Sequence, residues 1–335
     1  MNKAMTANAM TKPLTNKTFV IAEKEIKDAL RNNVFLTLLL LLAGLIIVSI
    51  IVSTLVFRSQ VDQYQAAFEL LKSLGKAPTS AAPQLFPLNL LRGAVDYLEI
   101  IGALLAIVLG YLSVAKEKNT KTLSLVLTRP VSKTQVMMGK LLGNYLLILG
   151  LTVAIGLIIW LALLLIGSVA LNGVEWIKLL LVVVLASFYL MTFFTLSFFL
   201  SLSQENIVNG LVISFLVWLT FVLILPQIGD AMDPDNQVPG GFFASLTLDR
   251  PQEKELMKKF NGYETIRTGL EQLSITKHFE RAAFALFGIK KQYNDVALTQ
   301  IMIEKAFDFV FVILLLILGS ITNIVLFRRL NDYLW

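Results

Sequence analysis

Six long apolar runs organise the chain: Val34–Phe57, Ala94–Ala115, Leu141–Gly167, Ile177–Leu200, Asn209–Ile228 and Ala306–Phe327. A helix needs about 20 residues to cross the ~30 Å hydrocarbon layer of a bilayer, and these runs have that length. None shows the polar stripe that a helix lying on a soluble core would carry. The pattern predicts an all-α integral membrane protein with six transmembrane helices.

What interrupts the runs is equally patterned. Before the first span, "TFVIAEKEIKDALRNN" places Phe19, Ala22, Ile26 and Leu30 three or four apart, with Glu23, Lys24, Lys27, Asp28 and Arg31 on the rest of the surface. That spacing predicts an amphipathic helix lying at the membrane interface within a polar segment covering residues 1–33. The same residues would also serve simply as a basic flank that fixes orientation. Between the second and third spans, residues 116–140 form a charged island, "KEKNTKTLSLVLTRPVSKTQVMMGK". Pro130 lacks an amide hydrogen and biases Arg129 away from helix, so "TRPVS" is a break. Ser132 and Gln135 then form an S-x-x-Q pattern, which predicts a capping box at the start of a helix that runs into the third span. Arg58–Gly93 carries a Pro-rich stretch, "GKAPTSAAPQLFPLN", and reads as a loop. The polar region 229–305 opens with turn signals at Asp233-Pro234 and Pro239-Gly240-Gly241 and continues with helical spacing at Leu256, Phe260, Ile266, Leu270 and Leu273. It is expected to be a helical loop between the fifth and sixth spans, leaving 306–335 as the last span and a short tail.

Charge sets the orientation. Lys3, Lys12, Lys17, Lys24, Lys27 and Arg31 precede the first span; Lys116, Lys118, Lys121, Arg129, Lys133 and Lys140 lie in the second-to-third-span loop; Arg328 and Arg329 follow the last span. Six spans put all three clusters on one side, and the positive-inside rule makes that side cytoplasmic. Both termini are therefore expected in the cytoplasm, with the chain a multi-pass protein of the cell (inner) membrane and the 229–305 loop outside it. The net charge of +6 sits at span ends, which points to membrane topology and away from nucleic acid.

Composition excludes much chemistry. Residues are 56% hydrophobic and 16% charged, and there is no cysteine, so disulfides, thiolate metal sites and cysteine nucleophiles are ruled out together. Gly139-Lys140 is followed by Leu141 and lacks the upstream glycine of a phosphate-binding loop. No G-x-S-x-G elbow appears, and the single histidine, His278, reads as an ordinary surface residue of the outer loop. No catalytic, metal or cofactor site is expected in the chain, and enzymatic activity is not. Charged residues inside spans are costly. Asp96 and Glu99 near the outer end of the second span and Asp308 near the outer end of the sixth are read as interfacial residues, or as the lining of a polar outer vestibule. The "SLSQENIVNG" turn between the fourth and fifth spans offers a second cytoplasmic surface to a partner.

The 116–140 segment resembles the ABC-2 type permease family, the membrane subunits of ATP-binding-cassette exporters. Glu117, Thr122, Leu123, Leu127, Thr128, Pro130, Val131, Ser132, Lys133, Gly139 and Lys140 fit the family's pattern, while Asn119 and Lys121 depart from it. "IAEKEIKDALRNN" resembles the family's amino-terminal elbow helix, and six spans with both ends inside match its layout. The elaborated 229–305 loop is similar to the subgroup associated with multi-copper enzyme maturation and gliding-type permeases.

The resemblance implies that ATP and Mg are held by a separate ABC ATPase subunit, and that two permeases pair, either as copies or as paralogues, within membrane lipid. It assigns ATPase coupling to Glu23, Lys24, Lys27 and Arg31 on the elbow and to Glu117, Thr122, Arg129, Pro130, Val131, Ser132, Lys133, Gly139 and Lys140 around the break. An alternative is an ATPase-driven membrane scaffold acting on an extracytoplasmic partner without a transport path. An ion-coupled carrier ranks below both, because the spans hold no acid at mid-depth.

Overall fold

The computed structural model describes residues 15–74, 86–119, 131–165, 170–232, 242–246, 252, 255–256, 261–294 and 296–329, and among them every regular element is helical. Among the described residues six helices are long and apolar enough to cross a membrane: Asn33–Ser73, Pro87–Lys118, Lys133–Leu165, Gly173–Ser203, Ile207–Gly229 and Ala306–Arg329. They contain five of the six runs read from the sequence in full and the third as far as Leu165, its last two residues lying outside the described ones.

Local chemistry explains where the elements begin. α1 (Thr15–Leu30) is separated from α2 (Asn33–Ser73) by Asn32, whose backbone is extended and whose side-chain oxygen accepts the Phe35 amide at 3.1 Å. α2 does not stop at Phe57. Nothing in "RSQVDQYQAAFELLKS" breaks a helix, so it continues through Ser73, roughly 24 Å further at 1.5 Å per residue. The second span is built from a 3-10 turn (Pro87–Leu91), α3 (Arg92–Tyr97), a π turn (Leu98–Gly102) and α4 (Ala103–Asn119). α5 (Lys133–Leu165) opens on the expected capping box: Gln135 N donates to Ser132 Oγ at 3.2 Å, and Ser132 N to Gln135 Oε1 at 3.0 Å. α6 (Gly173–Ser203) has its own box, from Asn172 and Glu175. α7 (Ile207–Trp218) passes through a second π turn (Leu219–Ile224) into α8 (Leu225–Met232), and Pro226, with no amide hydrogen, sits just past that turn.

α6 is the hub. It packs against α4, where Ser197 Oγ donates to the Ile107 carbonyl at 2.7 Å. It also packs against α12 (Ala306–Arg329), where Asn323 Nδ2 donates to the Thr195 carbonyl at 2.9 Å. Lipid is as apolar as leucine, so such hydrogen bonds and close packing, rather than hydrophobic burial, hold spans together. α2 and α12 lie outermost and turn large apolar side chains such as Val48, Leu55, Ile317 and Ile321 outward.

The region read as a loop contributes to the bundle itself. α9 (Asn261–Leu273) leads through Ser274 into α10 (Ile275–Phe287), followed by α11 (Leu298–Glu304). Nearly all of α10 is buried against α6, α12 and α3. The two π turns help receive it. Tyr189 on α6 donates to the Glu99 carbonyl in the first (2.9 Å) and stacks on Phe279, while Ser274 Oγ donates to the Phe221 carbonyl in the second (2.6 Å). Wide turns redirect carbonyls out of the regular ladder, and here side chains satisfy them.

Candidate functional site

The end of the bundle that carries α1 holds a buried polar junction. α1 crosses the start of α5, where two glycines allow contact: a Cβ on Gly143 would lie 2.5 Å from the Ala22 carbonyl oxygen, and one on Gly139 2.7 Å from Ile21 Cβ. Ala22, Glu25 and Ala29 form the buried face of α1, while Phe19, Val20 and Leu30 point outward. Of the four apolar residues expected on one face, Ala22 is buried and Ile26 packs on the core, while Phe19 and Leu30 lie on the exposed side. Close helix contact favours small residues, and the large apolar ones lose nothing by facing lipid.

The contact through Ala22 and Ala29 brings Glu25 inside. Lys140, only 2% exposed, sends its ammonium to Glu25 Oε1 (2.9 Å), Glu117 Oε1 (3.1 Å) and the Ser113 carbonyl (2.8 Å). Ser113 Oγ donates to Glu25 Oε2 at 2.8 Å and accepts from Asn144 Nδ2 at 3.2 Å. From the solvent side, Lys24 reaches Glu117 at 3.1 Å and Lys116 reaches Asp28 at 3.3 Å. One ammonium thereby joins α1, the end of α4 and the start of α5. Burying any one of these charges alone would cost several kcal/mol; together each has an opposite partner. Burial by itself would raise the Glu25 carboxyl, but Lys140, Lys24 and the Ser113 hydroxyl hold it below its usual range. A cavity of about 570 Å³ opens beside the junction, bordered by Lys24, Asp28, Arg31, Lys116 and Glu117.

Of the residues singled out from the sequence, Lys24, Glu117, Lys140 and Gly139 meet here. Glu23 and Lys27 form an exposed pair on the outer face of α1, where Lys27 holds the Glu23 carboxyl below its usual range, and Arg31 lies exposed at the cavity rim. Val131 packs on the core, Ser132 caps α5 and Lys133 begins it. Thr122, Arg129 and Pro130, and with them the kink, lie outside the described residues. Sequence reasoning missed Glu25, Asp28, Ser113 and Asn144. The signal for Glu25 was its place on the Ala22–Ala29 stripe, an acid where a helix shows its smallest residues. The "SLSQENIVNG" turn is tied in as well, through Lys118 to the Ser201 carbonyl (3.3 Å) and to that of Gln204, while Arg328 Nε reaches Thr134 Oγ1 at 3.1 Å.

At the opposite end, Asp96, Glu99 and Asp308 have separate surroundings. Asp96 is half-buried, within electrostatic reach of Arg92, Lys277 and Glu280. Glu99 is buried in the first π turn. Asp308 faces His278, whose Nδ1 lies 2.6 Å from Asp308 Oδ1 and whose Nε2 lies 3.0 Å from the Gln272 carbonyl oxygen. His278 is therefore not the surface residue expected of it: it is fully buried, its ring against Phe311 at a centroid distance of 4.1 Å. The cause is α10, whose apolar run Ala282–Phe287 draws the helix into the bundle and carries the imidazole with it.

A family model described as ABC-2 family transporter protein matches residues 19–331, which takes in most of α1, all six spans and the helices between the fifth and sixth. The chain belongs to the ABC-2 family of transporter proteins. It is accordingly a permease subunit of an ABC transporter, a multi-pass membrane component whose family implies an ABC ATPase as partner. No curated protein matches this permease.

Proposed function

We propose that the permease is the membrane half of an exporter and that separate ATPase subunits drive it from the end carrying α1, which is then the cytoplasmic face. The observation that carries this reading is the Lys140 junction. The segment 120–130, on which the family resemblance places the coupling contact, leaves from the end of α4 and returns to the start of α5. Lys140 ties those two ends to each other and to α1. Force applied there moves three helices as one body, and through α4 and α5 it reaches the second and third spans. The outward-facing Glu23, Lys27 and Arg31 supply a charged surface for docking, while the buried charges transmit the movement. ATP and Mg reside in the partner, and two permeases enclose the path in the cell membrane.

The test is affinity purification of the tagged permease in mild detergent with an ATP analogue. A P-loop ATPase should co-purify in equal amount, and a Lys27→Glu/Arg31→Glu variant should lose it while retaining the fold. Recovery of the permease alone under every nucleotide condition would remove the basis for the proposal. Substitution of Pro130 and Val131 should uncouple ATP hydrolysis from transport, and unchanged coupling would count against a lever at the break.

A further inference from the structure

Glu117 and Lys118 are neighbours near the end of α4, and at about 3.6 residues per turn their side chains leave the helix roughly 100° apart. Glu117 goes to the Lys140 junction. Lys118 goes to the end of α6, where its ammonium donates to the Ser201 carbonyl at 3.3 Å and to that of Gln204. α6 ends at Ser203, and carbonyls at a helix end lack amides of their own helix to accept from. A cation placed there also meets the negative end of the helix dipole. A main-chain carbonyl moves only with its helix, so this contact ties α4 to the body of α6 and not to a flexible side chain.

What Lys118 holds is a unit of two spans. Only the short turn 204–206 separates α6 from α7, and Gly210 brings the two helices together: a Cβ there would lie 2.5 Å from Ser201 Cα. α4 meets α6 a second time, deeper in the bundle. A Cβ on Gly110 would lie 2.6 Å from the Phe194 carbonyl oxygen, and Ser197 Oγ reaches the Ile107 carbonyl at 2.7 Å. Gly110 is about 12 Å along α4 from Lys118, at 1.5 Å per residue. Such a close backbone contact serves as a pivot. With Lys118 in place the end of α4 carries the α6–α7 turn with it; without Lys118 that end swings about the pivot and leaves the turn behind.

We infer that Lys118 is a positioning residue for transport, which makes the end of α4 and the α6–α7 turn move together. A push arriving on the segment 120–130, which begins just past Lys118, is thereby delivered to the fourth and fifth spans as well as to the second and third. The inference rests on the coupling reading above and adds to it a second route, separate from the Lys140 junction.

The test is hydrogen exchange followed by mass spectrometry on the permease with its co-purified ATPase, with and without AMP-PNP and Mg. In the native complex the nucleotide should alter exchange both in α1, residues 15–30, and in the turn, residues 201–209. Lys118→Met should keep the α1 response and lose that of the turn, and Lys118→Arg, which retains the cation, should restore it. In the permease alone, Lys118→Met should raise exchange of the turn about ten-fold, equivalent to about 1.4 kcal/mol and of the size of one hydrogen bond from a charged donor. Should that variant misfold, Lys118→Cys/Gln204→Cys in a chain without native cysteine gives the answer within one preparation: the turn should respond to nucleotide after bridging with a short bis-maleimide and not before. A turn response in Lys118→Met equal to the native one would overturn the inference. So would loss of the α1 response together with that of the turn, which a merely structural role predicts, or no recovery with arginine. A native complex that responds in α1 but not in the turn would remove only the route through Lys118, whereas one that responds in neither would remove the coupling reading itself.

Discussion

Replacing Lys140 with methionine keeps an unbranched side chain, one atom shorter, and removes the cation at the centre of the junction. Glu117 then retains Lys24 at 3.1 Å, while Glu25 keeps the Ser113 hydroxyl at 2.8 Å and has Lys24 at 3.6 Å, a side chain 46% exposed. Breaking a buried pair by removing one partner costs about 3 to 5 kcal/mol. The remaining Lys24 places the expected loss near the lower figure, about 3 kcal/mol. The pH dependence gives a sharper check because its sign reverses. In the native protein the folded-state Glu25 carboxyl lies below its ordinary value of 4.5, so its contribution to stability is present above that pH and fades as pH falls through the folded value. Without Lys140, burial becomes the dominant influence and raises the folded-state value above 4.5. The folded variant then binds the proton more tightly than the unfolded chain, so its stability is greatest at low pH and falls as pH rises. SDS-driven unfolding in micelles, followed by tryptophan fluorescence between pH 5 and 8, should show the deficit shrinking toward the acid end. A Glu25→Gln/Lys140→Met variant should recover a substantial part of it, because no orphaned charge remains. A deficit below about 1 kcal/mol with a pH slope parallel to the native protein would refute the account of Lys140 as a buried bridging cation.

Three further outcomes are expected. Gly143→Leu would drive a side chain into the Ala22 backbone; it should lift α1 from α5, cost about 1 to 3 kcal/mol and expose residues 15–30 to limited proteolysis. His278→Ala removes the partner of Asp308 Oδ1 and the ring packed against Phe307 and Phe311, and should destabilise the bundle by about 1 to 3 kcal/mol, whereas Asp308→Asn, which still offers an acceptor, should cost less in the same assay. Lys27→Glu/Arg31→Glu alters only exposed side chains and should change unfolding by less than about 0.5 kcal/mol while weakening ATPase co-purification.

Much was legible because lipid imposes a simple rule. A backbone crossing hydrocarbon must satisfy its own hydrogen bonds, so continuous apolar runs of sufficient length become helices whatever their neighbours. The Ser132–Gln135 box was equally readable, because its partners are three residues apart. Where signals depended on partners distant in sequence, the reading missed. Periodicity gave α1 an apolar face but not the face that meets α5, which the structure selects by size, since Gly139 and Gly143 admit only small side chains there. His278 was judged by its charged neighbours Lys277 and Glu280, which pair with each other at 2.8 Å and so let the helix go inward.

The sequence by itself determined the helical class, the six spans, the basic end and the family, because each depends on local composition or short spacing. The tertiary structure alone decided that Glu25 and Glu117 share one ammonium across 115 and 23 residues of chain, and that His278 meets Asp308. Such pairings are set by how helices cross and rotate against one another. Crossing and rotation depend on side-chain volume at contacts far apart in the chain, which no local window contains.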